Sequence, residues 1–199
     1  MIAGLLSACL LASAPTTTEV EAAAKPAPTL ESLDQRRFEV HLLPRFGMRL
    51  LDAVELGGSI QVGVGVRLWK GLFLDLEFGE GLYAPPLQLG GQILAGLRWE
   101  LRKSARVRPN FFAGLTHLHQ SHGDDFVHEP GHSLLGTAKT IHHRTGAQLG
   151  FGLRFPFPAA WGKQAPRFSG LLRTDVSYYF DGAPGRLQAG LGAGVSVVF

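Results

Sequence analysis

From residue 37 onward, apolar and polar residues alternate with a period of two in eight separate segments. Successive side chains of a β-strand point to opposite faces, so this period predicts strands with one apolar face and one polar face. No charged residue falls on the apolar face of any segment. An even number of strands can close into a barrel without a free edge. The first and last apolar positions are Phe38 and Leu50, Ile60 and Leu68, Leu72 and Phe78, Ile93 and Leu101, Val107 and Leu115, Ala147 and Phe155, Phe168 and Phe180, and Leu187 and Phe199.

The apolar face can point into a soluble barrel, as in a lipocalin, or outward into a membrane. The chain is 45% hydrophobic with a mean hydropathy of +0.10, yet it contains no run of about 18 apolar residues, which excludes a transmembrane helix. Most segments reach about nine residues, the length that a tilted strand needs to cross a bilayer. Segment length therefore favours the outward orientation.

Aromatic residues and connection lengths also favour a membrane barrel. Aromatic positions cluster near the strand ends, as the interface girdles of such barrels do. The connections 70–71 and 102–106 are short and 80–89 and 118–142 are long, as for periplasmic turns and external loops, although 156–166 is an exception. Pro44 predicts a bulge in the first strand. The two predicted girdles are Phe38, Trp99, Phe155, Phe168 and Phe199, and Phe46, Phe78, Tyr178 and Phe180.

The predicted fold is therefore all-β, a closed antiparallel eight-stranded transmembrane β-barrel with up-and-down meander topology. We expect a signal peptide over 1–24, a periplasmic linker over 25–36 and the barrel over 37–199. Ala22-Ala23-Ala24 has the small-x-small form of an ordinary cleavage site. Leu6-Ser7-Ala8-Cys9 is similar to a bacterial lipobox, in which Cys9 would be lipidated.

The last five residues, Val195-Ser196-Val197-Val198-Phe199, alternate and end on an aromatic residue. They resemble the C-terminal assembly signal of bacterial outer-membrane proteins, and residues 37–199 resemble the small outer-membrane barrels of the OmpA, OmpX and OmpW type. The resemblance implies a Gram-negative outer membrane, contact with its lipids, and recognition by the barrel-assembly machinery through Val195, Val197 and Phe199. We expect a monomer that binds no nucleic acid.

An eight-stranded barrel encloses an interior that side chains just fill. The polar face carries many arginines and fewer carboxylates, and buried charges must be paired. We therefore predict a lumen closed by ion pairs, with a narrow anion-preferring pore as the alternative. The alternation also predicts Arg186 on this face. The predicted lumen residues are Arg45, Arg67, Asp75, Glu77, Arg98, Glu100, Arg144, Arg154, Arg173 and Asp175.

Seven of the eight histidines lie between 117 and 143, in the longest predicted external loop and its flanking strands. His117 and His119 share one strand face, and His143 can approach them across the hairpin. Imidazole ligands suit zinc or nickel, so these three residues form the candidate metal site of a metal-binding surface protein. No other cofactor is predicted.

His119-Gln120-Ser121 has the His-x-Ser spacing of the outer-membrane lipid A deacylases, a resemblance that implies a base at His119 and a nucleophile at Ser121. His122 stands where that family has Asn, and Glu129 is not placed as its orienting carboxylate is. The main prediction is therefore a non-enzymatic barrel whose physiological role is unassigned. A lipid A-modifying hydrolase remains an alternative.

Overall fold

The computed structural model describes residues 37–52, 54–101, 106–122, 128, 141–157 and 166–199. The predictions for the signal peptide, the linker, Cys9 and Glu129 fall outside these residues. The described chain forms eight strands: β1 (Phe38–Leu50), β2 (Glu55–Trp69), β3 (Leu72–Ala84), β4 (Gln88–Glu100), β5 (Arg108–His122), β6 (His142–Pro156), β7 (Arg167–Tyr179) and β8 (Leu187–Val198).

Each strand pairs antiparallel with its neighbours in sequence, and β8 closes the barrel by pairing with β1. The predicted topology is confirmed. Val40 of β1 pairs with a residue of β2, which pairs with a residue of β3, and so on around the barrel to Leu187 of β8. Leu187 pairs with Leu50 of β1, ten residues beyond the starting point. This displacement of ten residues along β1 is the shear of the barrel, and with eight strands it tilts them roughly 40° from the axis.

The apolar face points outward. On β3, Leu76 is 42% exposed whereas the neighbouring Glu77 is 1% exposed, and the same alternation runs through the other strands. In a water-soluble barrel the apolar side chains would fill the interior, so this inverted arrangement identifies a transmembrane barrel. Among the described residues, no helix has the length and apolar content to cross a membrane.

The connection between β3 and β4 corrects one prediction. Residues 80–89 do not form a long loop, because β3 continues to Ala84 and β4 begins at Gln88. Glu80 pairs with Gly91 within the ladder. On the outward face, Glu80 and Gly91 occupy positions where apolar residues would continue the pattern. The alternation in the sequence therefore stops there, although the backbone pairing of β3 with β4 continues.

Pro44 does not introduce a bulge, which corrects a second prediction. Its pairing with Ile60 of β2 keeps the register of the flanking residues. On the β8 side, Leu42 pairs with Val195 and Arg45 with Gly192, with the same register on either side of Pro44. The missing N–H of proline therefore interrupts pairing locally without inserting a residue. A register shift does occur between Arg67 and Trp69 on β2.

Candidate functional site: the lumen and the outer rim

The lower end of the lumen, defined as the end near the first residues of β1, contains an ion-pair cluster centred on Glu39. Its carboxylate accepts hydrogen bonds from Arg98 at 2.7 Å and from Arg154 at 2.6 and 2.5 Å. Arg98 also donates to Asp75 at 2.6 Å, and Glu100 accepts from Arg108 at 3.1 Å. Because each carboxylate meets a guanidinium, the desolvation cost of these buried charges is offset by close pairing.

Two further ion pairs lie above this cluster. Arg45 pairs with Asp175 and Arg173 pairs with Glu77, joining β1 to β7 and β7 to β3 across the lumen. Glycines make room for the long side chains: a Cβ added at Gly190 would lie 2.1 Å from Arg45 Nη2. The glycines on the polar face thus allow arginines to cross a narrow interior.

An uncharged layer follows, which the sequence analysis did not single out. Gln92 Nε2 donates to Thr116 Oγ1 at 2.7 Å and to Gln148 Oε1 at 3.2 Å. Gln61 Nε2 donates to Gln92 Oε1 at 3.2 Å. The position of these glutamines on the polar face is the sequence signal for this layer, whereas the predicted network contains only charged residues.

The upper end of the lumen carries a different set of pairs. Arg49 donates to Glu55 at 3.1 Å, and Arg144 donates to Asp181 at 2.6 Å. Burial acts to raise the pKa of Asp181, but the hydrogen bonds from Arg144 and from the Ala183 N–H outweigh it and lower that pKa below its usual value. Neither Glu55 nor Asp181 was among the predicted partners.

Two further arginines lie at opposite ends of the barrel. Arg67 is half-buried at the end of β2, where its Nε donates to the Trp69 carbonyl at 3.4 Å. Arg186, assigned to the lumen face from the sequence, lies instead in the turn between β7 and β8 and contacts Asp52 at 3.5 Å. The guanidinium of Arg186 therefore pairs with a carboxylate at the external rim of the barrel.

Side chains fill the interior between these layers, and the buried apolar ones include Leu43, Leu94 and Phe112. A cavity in the lower half measures about 30 Å³, room for very few water molecules. A cavity of about 680 Å³ opens at the upper mouth, lined by residues such as Glu55, Gln120 and Arg144. Of these two cavities, the wide one lies at the mouth and the one inside the barrel is small.

The three histidines of the predicted metal site divide into two contacts on the outer wall. His117 Nε2 lies 3.1 Å from His143 Nδ1. The His119 ring turns the other way, over Gly91, and its Nε2 lies 3.9 Å from Glu80 Oε1. No group of three or more metal-ligating side chains converges within the described residues.

The His-x-Ser motif does not form a hydrogen-bonded pair. Ser121 is 3% exposed, and its hydroxyl has no hydrogen-bond partner among the described residues. Activation of a serine requires a base within hydrogen-bond reach. Within the described part of the chain, His119 and Ser121 are therefore not joined by a hydrogen bond.

Successive residues at the end of the last strand, β8, point alternately to the outer surface and to the lumen. Val195 and Phe199, two residues of the predicted assembly signal, are 48% and 53% exposed on the outer surface, and Val197 is half-buried in the same phase. Val198 points inward and is 4% exposed. The outward residues are thus available to a partner that contacts the barrel wall.

Comparison with solved structures places this architecture among known barrels. Neisserial surface protein A (NspA) is 17% identical over 81% of this chain and 97% of its own, with a TM-score of 0.57. Ail of Yersinia pestis is 9% identical over 82% and 97%, with a TM-score of 0.49. The N-terminal β-barrel domain of Pseudomonas aeruginosa OprF is 21% identical over 81% and 99%, with a TM-score of 0.46.

No protein-family model and no curated protein sequence matches the chain. The likeness to NspA lies in the fold, since 17% identity carries no information about activity. The inverted alternation, the closed meander and this likeness agree with one another, and they confirm the resemblance predicted from the sequence. The chain has the fold of the small eight-stranded bacterial outer-membrane β-barrels.

Proposed function

We propose that this chain is a non-enzymatic integral protein of the bacterial outer membrane whose lumen is closed and whose external end carries its activity. The observation that carries the proposal is the buried network around Glu39, Arg98 and Arg154, which ties several strands together inside the barrel. The outward belt provides lipid contact, and the barrel-assembly machinery would recognise β8 through Val195, Val197 and Phe199. A monomer satisfies every strand edge, because β8 pairs with β1.

Three features support closure over a narrow anion-preferring pore. The carboxylates Glu55 and Asp181 reduce the arginine excess that had suggested anion preference. The glutamine layer adds an uncharged barrier that an ion would cross only after displacing bonded amides. Apolar side chains such as Leu94, 1% exposed, fill the remaining cross-section.

The hydrolase alternative has weaker support. The buried Ser121 hydroxyl has no partner among the described side chains, and the His119 ring contacts Glu80. No observation places these residues in a base–nucleophile arrangement. The external end is therefore proposed as a binding surface, with the mouth cavity as its recess.

Planar-bilayer recording tests the closed lumen. The refolded protein is expected to give no steady conductance, because the ion pairs and amides leave no continuous water path. Gln92→Ala, which removes the central amide of the glutamine layer, is expected to remain closed because the ion pairs persist below it. A steady anion-selective current from the unaltered protein would establish the pore instead.

A further inference from the structure

We propose that His117 and His143 form a two-imidazole chelate on the outer wall of the barrel that takes one divalent transition-metal ion, with water completing the coordination. The proposal does not depend on the state of the lumen. It differs from the three-histidine site predicted from the sequence, because His119 is turned toward Glu80.

The strand register brings the two rings together. His117 pairs with Thr145, and His143 lies two residues away from Thr145 on the same face of β6. Such diagonal neighbours on an antiparallel pair are within reach of aromatic side chains. The ring centroids are 5.3 Å apart with an interplanar angle of 25°, so the rings meet nearly edge to edge.

The distance between the nitrogens fits a shared ion. Zinc–imidazole bonds are 2.0–2.1 Å long, and two such bonds spanning the 3.1 Å between His117 Nε2 and His143 Nδ1 enclose an angle of about 100°. This angle lies between the ideal values of square-planar and tetrahedral coordination. Rotation of both rings away from the line between the two nitrogens would direct their lone pairs at the ion.

Thr145 is placed to accept a hydrogen bond from the His117 tautomer that metal binding requires. Its Oγ1 lies 3.4 Å from His117 Nδ1 and can accept the proton on that nitrogen. His117 Nε2 is then unprotonated and faces His143. Ligating histidines commonly donate their other ring N–H to an oxygen acceptor in this way.

The pair is also accessible. On β5 the last outward apolar residue is Leu115, 65% exposed, and His117 follows two residues later toward the external end. His143 is exposed at the start of β6. A hydrated ion can therefore reach the imidazoles from the aqueous side of the apolar belt. Copper, nickel and zinc all accept imidazole ligands, and copper binds most tightly in the usual order.

Titration of the refolded full-length protein with Cu²⁺ alone tests the chelate, by calorimetry for affinity and by electron paramagnetic resonance for coordinated nitrogens. We expect a tight site with two imidazole nitrogens. His117→Ala and His143→Ala should each weaken this site at least tenfold, since each removes one of two ligands. His117→Gln serves as a second variant if the alanine variant does not fold, and heat-modifiable gel migration checks folding.

His119→Ala is the matched control, because His119 shares the same outer face and pairs directly with His143. Its Cu²⁺ affinity should stay within twofold of that of the unaltered protein. An equal loss in this variant would overturn the two-residue assignment in favour of a three-histidine site. Unchanged tight binding by a His117→Ala/His143→Ala double variant would overturn the proposal altogether, since other groups would then hold the ion.

Discussion

Replacing Glu39 by Gln is expected to lower the free energy of unfolding by about 3–5 kcal/mol, the cost of breaking a buried ion pair by removing one charge. Glu39 is 1% exposed and accepts hydrogen bonds from both Arg98 and Arg154. Glutamine keeps nearly the same shape, so the loss reports the charge and not a cavity. In this variant, Arg98 and Arg154 would have only the carboxylates of Asp75 and Glu100 as their remaining partners in the cluster.

The measurement is urea unfolding in lipid vesicles, followed by tryptophan fluorescence. Arg186→Ala is the control because it also breaks an ion pair, with Asp52, but in an exposed turn. Exposed pairs contribute about 0–1 kcal/mol, so this variant should unfold near the concentration required for the unaltered protein. Equal, small losses in both variants would show that the lumen network is hydrated and does not hold the barrel together.

Replacing Leu76 by Arg is expected to destabilise the folded protein in a bilayer by about 2–4 kcal/mol, the cost of an arginine on the lipid-facing wall near the membrane midplane. Leu76 is 42% exposed on the outer face of β3, between Leu74 and Phe78 of the apolar belt. Its side chain contacts no aqueous phase if the belt is embedded. The same vesicle-unfolding assay measures the difference.

Leu87→Arg is the matched control for this substitution. Leu87 is 57% exposed, more than Leu76, but it lies in the turn between β3 and β4. The change there should be within about 0.5 kcal/mol, as for most surface substitutions. If Leu76→Arg were equally neutral, the outward apolar face would have to be in contact with water.

The strands and their orientation could be predicted from the sequence because the signal is repeated many times. Leu74, Leu76 and Phe78 alternate with Asp75 and Glu77, and each segment supplies the same evidence independently. The prediction failed where one residue broke the pattern. Glu80 ended the predicted strand, although backbone hydrogen bonds depend little on which side chain occupies the position.

The contacts of the candidate sites depend on register, which the sequence does not specify. Spacing along β5 groups His119 with His117. In the structure, however, Glu80 pairs with Gly91 and Gly91 pairs with His119, so these three residues lie side by side across β3, β4 and β5 and Glu80 becomes the neighbour of His119. Gly91 also leaves the space that the His119 ring occupies. Partners such as Asp181 lie in turns, beyond the reach of an argument from alternation.

Site-directed spin labelling in bilayers tests most directly whether the apolar face of the barrel is in contact with lipid. With Cys9 replaced by Ser, a nitroxide on Leu76→Cys should collide frequently with oxygen and rarely with a water-soluble nickel chelate. A nitroxide on Leu87→Cys should show the opposite preference, because Leu87 lies in an exposed turn. Frequent collision of the Leu76→Cys label with the nickel chelate in the folded protein would contradict the membrane-spanning barrel.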